Sequence, residues 1–243
     1  MLYIIHGANV STSRLHYLDV VRGFAIILMV IYHFSFDLDN FNYIQIDMDH
    51  SLFWRSFRAV IVTLFLTTMG ISLALTHQKG ICWSCMKKRT LFLGVASILV
   101  SVGSYVQFPE SWIYFGILHF ILFASWLGLF FVGKPWLSLI SAIVILIGYV
   151  FGWLHTRGLF ELVNQPLHLP VRYTEDMVNI FPWFAPVLIG IFIVAKGWHL
   201  LPHLTPSFIS EKVGFMGRHS LIIYLIHQPI LFGVTLLAYK AGL

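Results

Sequence analysis

The stretch LDVVRGFAIILMVIYHFSFDL, residues 18–38, is apolar and long enough to cross a bilayer, yet it contains Asp19, Arg22, His33 and Asp37. On an α-helix that turns by about 100° per residue, these four residues fall within an arc of roughly 60°. Ionisable side chains at bilayer depth are energetically costly and rare, and they usually face a protein interior or a wet cavity. The stripe predicts a polar pathway along one face of the first helix, with His33 as its titratable centre.

The composition is that of an integral membrane protein. Of the 243 residues, 58% are hydrophobic and 10% are charged, and the mean hydropathy is +0.84. We therefore predict an all-α, polytopic membrane helix bundle, formed by one domain over residues 1–243 and surrounded by lipid bilayer. Seven apolar stretches predict seven transmembrane helices, at 18–38, 52–76, 91–107, 112–132, 136–154, 177–195 and 219–239. The net charge of +5 is divided among loops and does not indicate a nucleic-acid partner.

The distribution of Lys and Arg predicts the orientation. With a cytoplasmic N-terminus, ten basic residues fall on the inner side and five on the outer side. The inner set is Arg14, Arg22, Lys79, Lys87, Lys88, Arg89, Lys134, Lys196, Lys212 and Arg218. The outer set is Arg55, Arg58, Arg157, Arg172 and Lys240. Because Lys and Arg are enriched in cytoplasmic loops, we expect an N-in, C-out protein whose first helix is an uncleaved anchor.

The only cysteines, Cys82 and Cys85, form a single CxxC motif with His77 nearby. A structural zinc site takes four ligands, so a lone pair is weak evidence for metal or redox chemistry. The motif predicts two reduced thiols in a cytoplasmic loop.

Two pairs of residues in the first helix are candidates for chemistry. Asp19 and Arg22, at the predicted cytoplasmic end, either form a buried ion pair that fixes the helix or line the entrance to the pathway. His33 and Asp37 are four residues apart near the predicted outer end. The carboxylate could orient the imidazole and raise its basicity, as for a general base. The alternative for His33 is a core histidine bonded to a neighbouring helix.

Arg55 and Arg58 lie on the predicted outer side, against the usual distribution of positive charge. They either pair with nearby aspartates or hold an anionic part of a substrate. His50, which precedes them, is either a second proton carrier or an exposed loop residue.

His119 and His227 lie inside predicted spans. Pro229 tends to kink the helix beside His227, because proline lacks the backbone N–H. Each histidine is either functional or structural, and both could converge with His33. Their spacing predicts no metal site.

Basic residues also precede two of the predicted helices on the inner side. Lys87, Lys88 and Arg89 come before the third span and Arg218 before the last. Such residues could bind the phosphates of a nucleotide-like cofactor. Alternatively, they set topology and bind anionic lipid headgroups.

Several motifs together resemble the heparan-α-glucosaminide N-acetyltransferase catalytic-domain family, in its short prokaryotic form. They are RLHYLDVVRGFAIILMVIYH (14–33), FWRSFR (53–58), LFL (64–66), MGISL (69–73), IYFGILHF (113–120) and GRHSLIIYLIHQP (217–229). The related acyltransferase-3 family shares an Asp-x-x-Arg-Gly opening and a histidine at the end of helix one. The resemblance implies a multi-pass protein, expected in a bacterial inner membrane, that binds acetyl-CoA from the cytoplasm and passes the acetyl group to an acceptor across the membrane.

The family's catalytic histidine lies between helices one and two, before the Met-Gly motif, and by that spacing it falls on His50. Where this chain has His33, the animal enzyme has an asparagine. The resemblance therefore leaves both His33 and His50 as candidates for the base, or for a transiently acylated residue.

The leading hypothesis is a transmembrane acyltransferase. A histidine, with Asp37 orienting it, deprotonates an amine or hydroxyl of a small-molecule or glycan acceptor, most simply a sugar at the outer face. The expected cofactor-binding residues are Arg22, Lys87, Lys88, Arg89 and Arg218. The expected substrate or pathway residues are Asp19, Arg55, Arg58, His119, Tyr224 and His227. No metal is expected, and the chain could form a homo-oligomer.

The rival hypothesis is a proton-coupled transporter or exporter, in which the same residues relay protons or bind a solute. The inverted repeat and paired broken helices expected of such proteins are not evident in the sequence. A purely structural membrane subunit would leave the polar stripe without a purpose.

Overall fold

The computed structural model describes residues 13–48, 50–154, 166, 178–200 and 207–242, with side chains from His16 onward. The described residues form helices and no strand, which confirms the all-α prediction. The helices are α1 Ser13–Asn40, α2 Leu52–Thr76, α3 Trp83–Gln107, α4 Ile117–Leu129, α5 Pro135–Val150, α6 Ile180–Ala195, α7 Phe208–Arg218 and α8 Ser220–Lys240. A 3₁₀ turn, Trp198–Leu200, follows α6.

Four of these helices, α1, α2, α3 and α8, are long and apolar enough to cross a bilayer. The other predicted spans correspond to α4, α5 and α6, which are apolar but only 13 to 16 residues long. A straight 16-residue helix extends about 24 Å, which is short of a hydrocarbon core about 30 Å thick. The structure therefore supports an integral membrane protein, while the predicted count of seven spans stays a prediction.

Two elements differ most from the prediction. Helix α3 begins at Trp83, eight residues before the predicted span, because its basic first turns are helical although they are not apolar. Helix α7 lies in a predicted connection. Ser207 begins it, accepting a hydrogen bond from the N–H of Ser210, the usual role of an N-cap serine.

The chain divides into two compact units, one formed by residues 1–65 with 199–243 and the other by residues 66–198. In the first unit, α1 packs against α7 and α8. Gly23 and Gly217 allow the crossing of α1 and α7, because a Cβ at Gly23 would meet the carbonyl of Val213 and one at Gly217 the carbonyl of Asp19. Small residues at helix crossings permit such close backbone approach.

The second unit is built on α6, which packs against α4 and α5, while α3 packs against α4. Ser138 Oγ in α5 donates to the carbonyl of Leu188 in α6 at 2.7 Å. Gly70 and Gly190 allow α6 to lie directly against the second half of α2, with no space for a Cβ on either glycine. Backbone contact therefore sets the spacing of these helices.

Large apolar side chains stay exposed along α3, α5 and α8, as expected for surfaces that face lipid rather than water. They include Leu91, Phe92, Ile98, Leu99, Val102, Ile140, Val144, Ile147, Ile222, Ile226, Ile230 and Leu237. These surfaces fit the predicted bilayer environment.

Cys82 and Cys85 form a disulfide, so the prediction of two reduced thiols is wrong. The first turn of α3 brings residues three apart onto one face, and the two sulfurs meet there. The N–H of Cys82 also donates to Nδ1 of buried His77 at 3.0 Å. Burial lowers the pKa of His77, and the positive charge of Arg89 lowers it further.

Candidate active site

A polar cluster in the first unit lies where the C-terminal half of α1 meets α8. His33 and Asp37 are four residues apart on α1, so they share one face. Asp37 is completely buried, and its Oδ1 accepts a hydrogen bond from Gln228 Nε2 at 2.9 Å. The ring of His33 meets the ring of His227 edge-on, with 4.9 Å between centroids. Asp37 and His227 are buried and His33 and Gln228 are half-buried. We call these four side chains the histidine cluster.

His227 has one ring nitrogen occupied and one without a partner. Its Nδ1 lies 2.7 Å from the carbonyl oxygen of Tyr224. Because a carbonyl only accepts, Nδ1 must carry the hydrogen, and neutral His227 then has a lone pair on Nε2. That Nε2 is buried without a hydrogen-bond partner.

Two further buried atoms of the cluster, Asp37 Oδ2 and Gln228 Oε1, also lack a hydrogen-bond partner. A buried polar atom without a partner costs about 1–3 kcal/mol, and native proteins contain few of them. Three in one cluster, inside a span, indicate a site that binds polar groups.

The predicted link between Asp37 and His33 is replaced by another pairing. Asp37 bonds to Gln228, and His33 contacts His227. The physical reason is that α8 packs on this face of α1 and brings an amide donor to the carboxylate. Asp37 is therefore held by the neighbouring helix rather than by its own.

The polar stripe of α1 is two separate groups and not a continuous line. Ile26 and Met29 lie between them on the same helix and pack against Ile61 in an apolar core. Ile26 is completely buried. Helical periodicity places Ile26 on the stripe itself, between the two polar pairs. The structure thus corrects the prediction of an uninterrupted polar pathway.

The second polar group lies at the N-terminal end of α1, where one carboxylate faces two guanidinium groups. Asp19 is 3.6 Å from Arg22 and 3.9 Å from Arg218 at the end of α7. The close crossing at Gly217 brings Arg218 to Asp19. Because two positive charges share one negative charge, this group keeps a net positive charge suited to a phosphate. Arg22 and Arg218, predicted separately, are brought together.

His50 is exposed in the connection between α1 and α2. Its Nδ1 lies 2.9 Å from Asp47 Oδ1, and its backbone N–H donates to the same oxygen. An aspartate orients this histidine, although with side chains 88% and 61% exposed the pair is open to solvent. Arg55 and Arg58 are exposed on the first turns of α2, and no ion pair joins them to an aspartate that the structure describes.

The remaining candidates belong to the second unit. Lys87 and Lys88 are exposed, whereas Arg89 Nε donates to Ser125 Oγ at 2.9 Å. His119 Nδ1 accepts from the N–H of Gly116, and its Nε2 contacts Ser101 Oγ at 3.1 Å. With both ring nitrogens occupied, His119 fixes the start of α4, and this geometry favours its structural role.

Gln228 was not assigned a role from the sequence, and Asp47 was expected only as a partner of Arg55 or Arg58. Gln228 follows His227 within an apolar helix, and its amide holds Asp37. Asp47 orients His50. A carboxamide at bilayer depth beside a histidine was the available signal for Gln228. Among the described residues, no group of three or more His, Cys, Asp or Glu is placed to hold a metal ion.

The catalytic-domain model of heparan-alpha-glucosaminide N-acetyltransferase matches residues 14–229. The chain belongs to this family. The predicted resemblance is confirmed, and membership implies an acetyltransferase embedded in a membrane. The match begins at Arg14 and ends at Pro229, so it includes both polar groups of α1 and the whole histidine cluster. No curated protein and no solved structure matches the chain significantly.

Proposed function

We propose that this member of the heparan-alpha-glucosaminide N-acetyltransferase family transfers an acetyl group from cytoplasmic acetyl-CoA to an amine or hydroxyl acceptor, most simply a sugar, at the outer face of a bacterial inner membrane. The observation that carries the proposal is the buried histidine cluster within the matched region. An acyl transfer needs a group that takes a proton from the acceptor, and imidazole suits that task near neutral pH.

The two polar groups of α1 have different proposed roles, one in binding CoA and the other in the transfer itself. The Asp19, Arg22 and Arg218 group supplies cations for the CoA phosphates at one end. The histidine cluster supplies hydrogen-bond acceptors and a proton acceptor about 17–21 Å further along the helix, at 1.5 Å per residue. The apolar core at Ile26 and Met29 lies between them. Met29 is an unbranched, flexible side chain that can move aside for a thioester arm.

Lys87, Lys88 and Arg89 remain proposed contacts for the CoA phosphates, and His33 and His50 remain proposed bases. Asp47 orients His50, and the resemblance of this loop to the family supports a role for His50 as a base. Arg55 and Arg58 are exposed near the start of α2 and are proposed to hold an anionic part of the acceptor.

The test uses purified protein in lipid nanodiscs with radiolabelled acetyl-CoA and a panel of amino sugars, sugars and simple amines. We expect saturable binding of acetyl-CoA and labelled product. Arg22→Gln should weaken binding, while the exposed Lys240→Gln serves as a control for the loss of one positive charge. Absence of acetyl-CoA binding, together with no labelled product from any acceptor in the panel, would contradict the proposal.

One observation supports the alternative function of proton-coupled transport, namely that the histidine cluster contains buried ionisable residues. Proteoliposomes with an imposed pH gradient and no acyl donor distinguish the two functions. Solute uptake under those conditions would favour a transporter, and uptake that requires acetyl-CoA would favour transfer.

A further inference from the structure

We propose that His227 is the catalytic proton acceptor of the transfer, through its Nε2, and that Asp37 and Gln228 position the acceptor group beside it. This inference rests on the proposed function and adds His227 to His33 and His50 as a proposed base, ahead of both. It follows from hydrogen bonds and burial within the first unit.

The protonation state of the His227 ring is set before any substrate arrives. The carbonyl of Tyr224 requires a hydrogen on Nδ1, at 2.7 Å. The Nε2 lone pair is therefore available on a ring whose orientation is fixed, as in catalytic histidines that another group holds through the opposite nitrogen. The other two candidates lack one of these properties. No hydrogen bond among the described residues fixes the His33 ring, and the His50 side chain is 88% exposed.

The atoms around His227 determine what the site can hold. Asp37 Oδ2, Gln228 Oε1 and His227 Nε2 are all acceptors, and each is buried without a partner. Gln228 uses its amide N–H to hold Asp37 Oδ1, and its amide oxygen stays available to a donor. A reacting group that brings N–H or O–H donors satisfies these atoms, whereas a group with acceptors only does not.

In the transfer, each bond that forms is matched by one that breaks. The acceptor nitrogen or oxygen attacks the acetyl carbonyl carbon of acetyl-CoA, and its proton passes to His227 Nε2. The new N–C or O–C bond forms and the C–S bond breaks, so that the electron pair leaves with the CoA sulfur. His227 returns the proton to that thiolate, which releases CoA–SH and neutral histidine.

Chemical rescue tests this role, because a structural histidine does not respond to it. The variants are His227→Ala, His33→Ala, His50→Ala and the matched control His119→Ala, whose histidine has both nitrogens bonded. Each is assayed for acetyl-CoA binding and for transfer, with and without added imidazole. We expect His227→Ala to bind acetyl-CoA and to lose about 10²–10⁴-fold in transfer rate, as for a lost general base. Imidazole should restore transfer in this variant alone.

A second variant covers the case in which His227→Ala does not fold. In His227→Asn the side-chain amide nitrogen lies close to the position of Nδ1 and can still donate to the Tyr224 carbonyl, but it cannot take up a proton at neutral pH. Lost transfer with an unchanged melting temperature supports the proposal. Transfer at the wild-type rate in His227→Asn, or imidazole rescue in His33→Ala or His50→Ala but not in His227→Ala, would overturn it. Wild-type protein that does not bind acetyl-CoA contradicts the proposed function itself, whereas transfer that survives the loss of His227 contradicts this inference only.

Discussion

At the scale of single residues, the histidine cluster shows how one hydrogen bond decides the chemistry of another atom. Gln228 holds one oxygen of Asp37 and thereby leaves the other oxygen unpartnered. In His227, the bond from Nδ1 to the Tyr224 carbonyl leaves the lone pair on Nε2. Asp37 and His227 therefore each have one polar atom with a hydrogen-bond partner in the protein and one without. Partly satisfied buried networks lower stability, so they persist where function requires them.

Removal of the Gln228 amide should destabilise the first unit. In Gln228→Met the side chain keeps a similar size, but Asp37 loses its hydrogen-bond donor while it stays completely buried. We expect a loss of about 1–3 kcal/mol in the free energy of unfolding. Thermal unfolding of the purified protein in detergent measures it. The exposed Gln78→Met is the control and should stay within about 0.5 kcal/mol of wild type, and equal losses in both variants would rule out this role for Gln228.

His77 should make stability depend on pH. Burial, and then the charge of Arg89, lower its pKa in the folded state, so the unfolded chain binds the proton more readily. The contribution is therefore fully present above the unfolded pKa of about 6.5 and is lost as the pH falls below it. Protonation also removes the acceptor for the N–H of Cys82. Melting temperatures at pH 7.5 and pH 5.5 should differ less in His77→Asn than in wild type or the neighbouring Gln78→Asn, and an unchanged pH dependence would contradict this.

At the scale of elements, the helices themselves were predictable and their contacts were not. Apolar runs of sufficient length indicate helices wherever they occur, and each of the seven predicted spans overlaps an observed helix. Helix α7 matches no predicted span, because its signals are a serine N-cap and two glycines rather than an apolar run. The partner of Asp37 depends on which helix packs against α1. Periodicity within α1 shows which residues share a face, but it does not show which helix packs on that face.

The crossing of α1 and α7 should tolerate no side chain at Gly217. A Cβ there would meet the backbone of Asp19, so Gly217→Ala must push the two helices apart. We expect a loss of about 1–3 kcal/mol in stability, as for other overpacked sites, and weaker acetyl-CoA binding because Arg218 moves away from Asp19. Gly233→Ala is the matched control, since nothing lies within 4 Å of its Cβ. In α8 that alanine should be neutral or stabilising, and a loss equal to that of Gly217→Ala would refute the close-crossing explanation.

At the scale of the whole molecule, two features favour opposite orientations. The excess of basic residues on one set of loops, which includes Lys87 and Lys88, favours a cytoplasmic location for the connection between α2 and α3. The disulfide between Cys82 and Cys85 is in the same connection, and disulfides persist mainly in oxidising compartments. A cytoplasmic disulfide is usually transient or redox-sensing. Charge counting is summed over ten residues against five, whereas a disulfide depends on one local geometry, so we expect the N-in, C-out orientation.

Cysteine labelling of intact cells decides between the two orientations. Cys82→Ser and Cys85→Ser remove both native cysteines, and a single cysteine is then introduced by Arg55→Cys or by Lys88→Cys, both at exposed positions. The N-in orientation places residue 55 outside, so Arg55→Cys should react with a membrane-impermeant maleimide in intact cells. Lys88→Cys should react only after the membrane is permeabilised. The reversed pattern would place the CxxC motif outside together with the proposed phosphate-binding lysines, which acetyl-CoA in the cytoplasm could not reach.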